Sequence, residues 1–249
     1  MTNSDQSPHS YTILGLLLAL GLILGSWILG AEIKATRLSD RYVSVKGLVE
    51  RKVKSDLAVW PLSYKEAGDD LATLYAKTEA DKKTIMQFLT DQAIQSSEVE
   101  VGLIRVIDTQ AQEYGGNGRA PHRYIVEQQI SVRTNRVDQV AAAAQKTISL
   151  LQKGIVLDSN QGVAYKFTSL NSIKPDMITE ATRNARAAAD RFASDSGSRV
   201  GGIRQASQGV FAILPADEVG GTESPGYSPD SSLMKNVRVV TSVDYYLEK

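Results

Sequence analysis

The chain has 249 residues, of which 42% are hydrophobic and 22% charged, so its composition is that of a globular protein rather than a disordered or fibrous one. Its 28 basic and 28 acidic side chains give a formal net charge of zero, which argues against a nucleic-acid binder because such proteins usually carry a basic surface. Cysteine is absent and the only histidines are His9 and His122, which excludes disulfides, cysteine nucleophiles, iron–sulfur clusters, cysteine zinc sites and histidine-rich metal cages.

The first notable segment is an uncharged apolar run at residues 11–31, which follows a short tail at 1–10. As a helix this run would be about 31 Å long, close to the hydrocarbon thickness of a bilayer. Tyr11 and Trp27 lie near its ends, where amphipathic rings favour the membrane interface. The run therefore predicts a transmembrane anchor that binds the lipid bilayer through residues 11–31, followed by a connector at 32–40.

A cleaved signal peptide is the alternative interpretation of this run. It is disfavoured because residues 1–10 contain no Lys or Arg and because the apolar run is longer than a signal-peptide core. The orientation is a separate question. The basic residues follow the run, and the positive-inside rule would place that side in the cytoplasm. These residues are Lys34, Arg37, Arg41 and Lys46.

The body that follows, residues 41–249, alternates strand-like and helix-like segments. Apolar residues at every second position predict the strands, and Pro61, which cannot donate a ladder hydrogen bond, is expected at a sheet edge or a bulge. Helical spacing predicts the helices, with Pro175 in a first turn and Gly154 and Gly197 as stops. The predicted strands are 42–53, 56–64, 99–108, 122–134, 163–168, 200–214 and 234–247, and the predicted helices are one that opens at 68–70 and ends near 91, one at 137–154 and one at 175–194.

This order of elements predicts an α+β fold with mainly antiparallel sheets packed against about three helices. In the first helix, Leu71, Leu74, Tyr75, Ile85, Phe88 and Leu89 are expected to form the buried stripe. In the last helix, an alanine-rich side that also includes Phe192 is expected to allow close packing on a sheet or a neighbouring helix. Two loops rich in Gly, Pro or Ser, 114–121 and 215–232, are expected to be exposed.

Motifs that could carry catalysis are weak. The glycine cluster 115–118 is not followed by the Lys-Ser/Thr of a phosphate-binding loop, so we interpret it as a turn. Ser232 and Lys235 have the serine–lysine spacing of penicillin-recognising enzymes, but the companion motifs are missing and the serine is expected in a loop. His122 is expected to be a surface residue at the start of a strand. We therefore predict no catalytic, cofactor-binding or metal-ligating residue, and no cofactor.

The charged clusters have structural interpretations. Asp69 and Asp70 fit the favourable electrostatics of a helix start. Asp217 and Glu218 are interpreted as part of a solvated loop. Three arginines on the polar side of the last helix could bind an anion or a partner, although a solvated face is the simpler interpretation. These are Arg183, Arg186 and Arg191.

Several short segments of the body form a recognisable pattern. They are 42–47 (Tyr-Val-Ser-Val-Lys-Gly), 54–56 (Lys-Ser-Asp), 68–71 (Gly-Asp-Asp-Leu), the alanine-rich helix at 178–193, the Gly197 and 200–203 segment, and the alternating strand at 237–247. Together they resemble the SIMPL-domain family (YggE-like, DUF541) over roughly residues 41–248. The resemblance implies an α+β fold in bacterial proteins that are exported to the periplasm or held at the membrane, and that form oligomers without catalysis. It also implies a link of some members to envelope or oxidative stress, and no catalytic residues carry over.

The leading hypothesis is a single-pass protein of the bacterial inner membrane whose body lies in the periplasm and self-associates without catalysing a reaction. A homo-oligomer and an envelope protein are the expected partners, and nucleic acid is not. The alternative is a module that binds an envelope ligand or polymer through loops 114–121 and 215–232. An enzyme using His122 or a carboxylate is the third hypothesis.

Overall fold

The computed structural model describes residues 17–23, 25–27, 41–111, 121–158, 161–216 and 228–248. Within the described body the strands are β1 (Tyr42–Lys54), β2 (Leu57–Gly68), β3 (Val99–Val101), β4 (Arg105–Asp108), β5 (Tyr124–Thr134), β6 (Ala164–Lys166), β7 (Arg199–Gln208), β8 (Ala212–Pro215) and β9 (Met234–Glu248). The α-helices are α1 (Leu71–Asp91), α2 (Val137–Ala144), α3 (Ile148–Leu151) and α4 (Leu170–Asp195), and 3₁₀ turns occupy Ser96–Glu98 and Pro229–Ser231.

The strands form two sheets, and every pairing whose register is described is antiparallel, which confirms the predicted α+β class. A five-stranded sheet has the order β3-β5-β2-β6, with β4 also paired to β5. A four-stranded sheet has the order β1-β9-β7, with β8 also paired to β9. The long strands β1, β2, β5 and β9 match their predicted positions, because alternating burial follows directly from alternating apolar residues.

The predicted anchor, residues 11–31, is only partly described. Leu17–Ile23 and Gly25–Trp27 are helical, while the tail 1–10, the remainder of the anchor and the connector 32–40 lie outside the described residues. Among the residues that are described, no helix combines the length and the apolar character needed to cross a membrane. The anchor therefore stays a prediction.

The chain divides into two compact units. The first unit contains Met1–Leu48, Ile178–Gly209 and Val240–Lys249, and the second contains Val49–Met177 and Val210–Val239. Three of the boundaries fall within β1, α4 and β9, and the fourth lies between β7 and β8.

The second unit contains the five-stranded sheet and the larger core. Alternate residues of β2 point into this core, among them Trp60, Leu62 and Tyr64. α1 packs on β2 and β5 and buries Ile85 and Leu89 completely or nearly so. Other core members are Phe88, Ile94, Ile130, Val132, Val140, Leu150 and Ile155. On one side of β2, the pairing with β6 covers Leu57–Val59 and ends before Pro61. Pro61 therefore lies where that side of the strand is an edge, as predicted, and its register with β5 has no bulge.

The predicted strand 99–108 is wrong as a single strand. β3 pairs with β5 from Val99 to Val101 and β4 pairs from Arg105 to Asp108, but three residues of this edge lie opposite two residues of β5. The extra residue is a β-bulge. The Gly102 N–H donates to the Gln129 carbonyl at 2.8 Å, and a Cβ on Gly102 would lie 2.9 Å from that same oxygen. The bulge thus needs glycine there.

The predicted helix 137–154 is also wrong as one element. After α2, the N–H of Lys146 and the hydroxyl of Thr147 bond to the carbonyls of Ala143 and Ala144, so the chain tightens into a turn before α3. Such side-chain bonds compete with regular helix. Gly154, with φ of +85°, ends the segment as predicted.

The last predicted helix begins earlier than Pro175. Asp56 accepts hydrogen bonds from the backbone N–H groups of Thr168 and Ser169 at 2.7 and 2.9 Å, and α4 starts at Leu170, so the proline lies inside the helix. The start of α4 is therefore set by the carboxylate of Asp56, which is distant in sequence. The predicted strand 200–214 likewise divides into β7 and β8.

The first unit packs an alanine face of α4 against its sheet. Ala185 and Ala189 are fully buried against Val243 and Tyr245. A Cβ placed on Gly47 of β1 would lie 1.8 Å from the Ala181 carbonyl oxygen, so the strand and helix backbones are in direct contact. The predicted close packing is confirmed. Phe192, expected on the buried side, is 61% exposed, and Gly197 ends the helix with φ of +67°.

Candidate functional site

One edge of the five-stranded sheet is the most distinctive exposed surface of the second unit. Along one side of β5, β2 pairs continuously from Ala58 to Gly68, whereas the other side is covered only by the short strands β3 and β4. Within the described residues, β3 and β4 each pair with β5 and with no other strand. β3 and β4 therefore form an edge whose outer backbone groups face away from the sheet.

The bulge makes this edge unusually apolar. It interrupts the alternation of the strand and leaves Leu103 95% exposed, with Val101 and Val106 also exposed. Natural edge strands are usually short, bulged or charged, which limits unwanted pairing with other chains. This edge is short and bulged, but Val101 and Val106 are exposed on the face that carries α1, and Leu103 is exposed beside the polar residues of the opposite face. Exposed apolar side chains that group on one surface mark interaction sites.

An apolar groove lies beside the edge, between β4 and the first turns of α1. Its volume is about 490 Å³. Leu71 and Tyr75 were predicted to belong to the buried stripe of α1, but they are 41% and 54% exposed and form the helix side of the groove. Leu74 and Thr78 of the same turns are buried, so Leu71 and Tyr75 lie on a different side of the helix, the side that faces the groove. The groove is lined by Leu71, Ala72, Tyr75, Ile104, Val106 and Val126.

The opposite face of the same edge is polar. Arg105 and Glu127 are register partners there, and Lys65 forms an ion pair with Glu127 at 2.9 Å. The hydrogen bond with Glu127 raises the pKa of Lys65. Ser63, Gln129, Asp158 and Gln161 complete a shallow pocket of about 240 Å³.

The two faces together suit an added β-strand. A strand that pairs with β4 would receive main-chain hydrogen bonds from the edge and would alternate its side chains between the apolar groove and the polar face. This arrangement supports binding of an extended segment. Among the described residues there is no group of three or more acidic or histidine side chains that could hold a metal ion.

His122 lies near this edge but is not arranged for acid–base chemistry. It is exposed, as predicted, and its Nδ1 lies 3.4 Å from Asp69 Oδ2. Asp69 also accepts the Arg123 backbone N–H at 2.9 Å, while the helix cap belongs to Asp70 alone. Asp70 thus caps the helix as a predicted helix-start acid, while Asp69 also ties the start of β5 to the end of β2. The hydrogen bonds from Arg123 and His122 lower the pKa of Asp69.

The other sequence candidates have structural roles where they are described. Arg186 donates to the carbonyls of Val200 and Gly201 at 3.1 and 3.3 Å and lies 5.2 Å from the Tyr245 ring, so it is not simply solvated. Arg183 and Arg191 are exposed. Ser232 lies in a loop, as predicted, and its hydroxyl donates to the Met234 carbonyl. Lys235 is buried in β9, and burial lowers its pKa.

Some candidates lie outside the described residues. These are His9, the glycine cluster 115–118 and the Asp217–Glu218 pair. Most of loop 114–121 and residues 217–227 of loop 215–232 are also outside. The alternative of ligand binding through these loops therefore stays a prediction.

The apolar groove is not predicted from the sequence. A signal was available, since Gly102 stands inside an apolar run and an isolated glycine in a strand often marks a bulge. A bulge reverses which residues face the core after it, and that change is what places Val106 beside Val126. Recognising it required the register with β5.

Residues 43–243 match the family described as SIMPL, a protein family of unknown function (DUF541). The chain belongs to the SIMPL family. The match covers most of the body and confirms the resemblance drawn from the short motifs. Because the family's function is unknown, membership assigns neither an activity nor site residues to this SIMPL protein. Comparison with curated proteins found no match.

Proposed function

We propose that this SIMPL protein is a membrane-tethered, non-catalytic protein of the bacterial envelope whose body self-associates through the β3–β4 edge. The observation that carries the proposal is the exposed apolar edge beside the groove of α1. The tether, the second copy and the periplasmic location are argued separately below, because each has its own support and its own test.

The tether is supported by the uncharged run at residues 11–31. Its described parts are helical, and their large side chains are exposed, with Leu17, Ile23 and Trp27 at 64%, 68% and 76%. Helices that are apolar all round are stable in lipid or in a protein core. Retention of the product in membranes after alkaline extraction is the expected result, and release into the soluble fraction would contradict it.

A second copy of the chain is the occupant that the edge fits best. A two-fold axis perpendicular to the sheet would pair two β4 edges antiparallel and keep each face on its own side. The apolar grooves of both copies would then join on one face, and the polar pockets on the other. Tethering to one membrane raises the effective concentration of copies, which favours association through a small interface.

Self-association is tested with the full chain in detergent micelles. We expect Val106→Glu to reduce the assembled species to monomer, because a carboxylate would be placed in the apolar groove at the paired edge. Val156→Glu is the matched control, since Val156 is 64% exposed and does not line the groove. Light scattering coupled to size exclusion measures both variants.

The outcome separates two interpretations. Loss of assembly in Val106→Glu with assembly intact in Val156→Glu supports the edge. Assembly that is unchanged in both variants, or a strictly monomeric wild-type chain, would contradict self-association through this surface.

The periplasmic location rests on the family resemblance, whereas the basic residues after the run favour the cytoplasm. Protease treatment of intact and permeabilised cells distinguishes the two. Digestion of the body after outer-membrane permeabilisation alone is the expected result. N-terminal sequencing of the same product shows whether residues 11–31 are retained, and a product starting after residue 31 would contradict the tether.

A further inference from the structure

A pair of carboxyl groups connects α1 to β2 close to the groove. Asp81 of α1 is hydrogen-bonded to Glu66 of β2, and its Oδ2 atom is buried without a hydrogen-bond donor in the described structure. Glu66 is only 13% exposed and accepts from Lys77 Nζ at 2.5 Å. Two ionised carboxylates have no proton to share, since each can only accept. One proton on the pair would supply the donor that a bond between the two carboxyl groups needs.

We propose that Asp81 and Glu66 share one proton in the folded protein, and that this proton holds α1 against the sheet beside the apolar groove. The pairing of the two carboxyls stands on its own geometry. Its consequence for the groove rests on the proposed function, because it makes self-association through the groove depend on pH.

The charges around the pair fit one shared proton. On α1, Lys77 faces Glu66, and Lys82 is paired with Glu79 at 2.6 Å. Three carboxyl groups and two ammonium groups are neutral together only when one carboxyl is protonated. From β2, the buried Tyr64 hydroxyl donates to Gln128 of β5 at 2.6 Å and lies 3.3 Å from the Thr78 carbonyl oxygen. Burial, together with the negative charge of Asp81, Glu79 and Glu66, raises the pKa of Tyr64.

Among the described residues, Glu66 and Lys77 are the charged groups that act on the pKa of Asp81. α3, which consists of Ile-Ser-Leu-Leu, has no titratable side chain. On β5, Glu127 lies on the opposite face of the sheet, where it pairs with Lys65. Burial raises the pKa of Asp81 to about 6, the bond to Glu66 and its charge act in the same direction, and Lys77 opposes them.

The sheet register places Glu66 in the same row as two residues that line the groove. Glu66 is the register partner of Val126 on β5, and Val126 is the partner of Val106 on β4. Directly paired side chains lie on the same face. Glu66 therefore lies beneath α1 in the same row as two groove residues. Because α1 forms the other side of the groove, weakening the hydrogen bond between Asp81 and Glu66 loosens the helix next to the groove.

The direction of the pH effect follows from the raised pKa. The ordinary pKa of aspartate, 3.8, applies to the unfolded chain, whereas the folded value is about 6. The stabilisation is therefore fully present below about pH 4 and is lost as the pH rises through about 6. We expect α1 to be held more firmly, and the groove to be better formed, at mildly acidic pH than above pH 7.

Thermal unfolding of the full chain in detergent micelles, followed by circular dichroism, tests the shared proton. Between pH 4.5 and pH 8 the midpoint of the wild-type chain should fall by about 2–4 °C more than that of Asp81→Asn, since asparagine donates to Glu66 at every pH. Asp91→Asn is the matched control on the same helix, where the exposed Asp91 accepts from Gln87, and it should follow the wild type. A fall in Asp81→Asn equal to that of the wild type would overturn the proposal.

A second measurement covers the case in which Asp81→Asn does not fold. Carbon NMR of the wild-type carboxyl groups should show Asp81 titrating near pH 6, and a midpoint below pH 5 would overturn the shared proton. Both measurements are repeated in Val106→Glu, the variant designed to be monomeric, so that they do not depend on assembly.

The link to the groove has its own readout. Wild-type assembly should be stronger at pH 5 than at pH 8, and Asp81→Asn should assemble equally at both. If the unfolding result holds but wild-type assembly does not change with pH, the shared proton stands and its control of the groove is wrong. If Val106→Glu leaves assembly unchanged, the proposed function fails while the titration of Asp81 still decides the shared proton.

Discussion

The two units each pack a long helix on an antiparallel sheet, but they do so with different side chains. In the first unit, α4 presents alanines, and its backbone touches Gly47 of the strand beneath. In the second unit, α1 presents larger residues, including Ile85 and Phe88, together with the partly buried carboxyl of Asp81. Small residues bring a helix and a sheet into direct contact, whereas large ones hold them apart.

This difference indicates which surface can change. A helix in backbone contact with its sheet has little space in which to move, because protein interiors are close-packed and resist insertion of even one methyl group. A helix held by bulky side chains in its second half and by a carboxyl pair at its middle can leave a groove at its first turns. The groove beside α1 and the proposed proton shared by Asp81 and Glu66 therefore both follow from the way α1 packs on its sheet.

The largest expected effect comes from breaking the backbone contact of the first unit. In Gly47→Ala the new Cβ would lie 1.8 Å from the Ala181 carbonyl oxygen and 2.7 Å from the Ala185 nitrogen, so the helix must move. We expect a loss of about 4 kcal/mol or failure to fold. Chemical denaturation, or the soluble yield if the variant does not fold, measures this.

Gly202→Ala is the control for that prediction, since a Cβ there meets nothing within 4 Å. It should remain within about 1 kcal/mol of the wild type. Equal stability of Gly47→Ala and the wild type would show that α4 is not in the close contact described.

The second effect concerns the bulky core of the other unit. Ile85 of α1 is fully buried, and truncation to alanine would remove apolar contacts and leave a cavity. We expect Ile85→Ala to lower the free energy of unfolding by about 3 kcal/mol. Ile148→Ala, at a residue that is 59% exposed, should cost much less. Similar losses in the two variants would contradict the placement of the core.

The sequence predicted the periodic parts of both units well. β1, β5 and β9 were found from alternation, and the α1 start was found from the acids before it. The departures all depend on contacts between distant residues. The bulge at Gly102 requires the register with β5, and the early start of α4 requires Asp56, more than a hundred residues away.

The proposed site was harder to predict than the fold for a related reason. Apolar periodicity treats Leu71 and Tyr75 as core residues, because it has no information on where the overlying sheet ends. It also treats Asp81 as an exposed polar residue. Whether a carboxyl on a helix faces solvent or faces Glu66 of the sheet depends on three-dimensional neighbours, which a single sequence does not contain.

The smallest expected effect is at the start of α1, next to the groove. Asp70 accepts from the Thr73 backbone N–H at 2.9 Å and from the Thr73 hydroxyl, so Asp70→Ala removes the helix cap. We expect the unfolding midpoint to fall by about 2–4 °C, while Asp70→Asn, which also caps helices, should lose less. The hydrogen bonds from Thr73 lower the pKa of Asp70, so its contribution is present above about pH 4, near the ordinary aspartate value of 3.8, and is lost as the pH falls through the lower folded value. The difference in unfolding midpoint between wild type and Asp70→Ala should therefore shrink in acid. This is opposite to the trend expected for Asp81→Asn. A difference in midpoint that stays constant with pH would mean that the charge of Asp70 does not contribute to the helix cap.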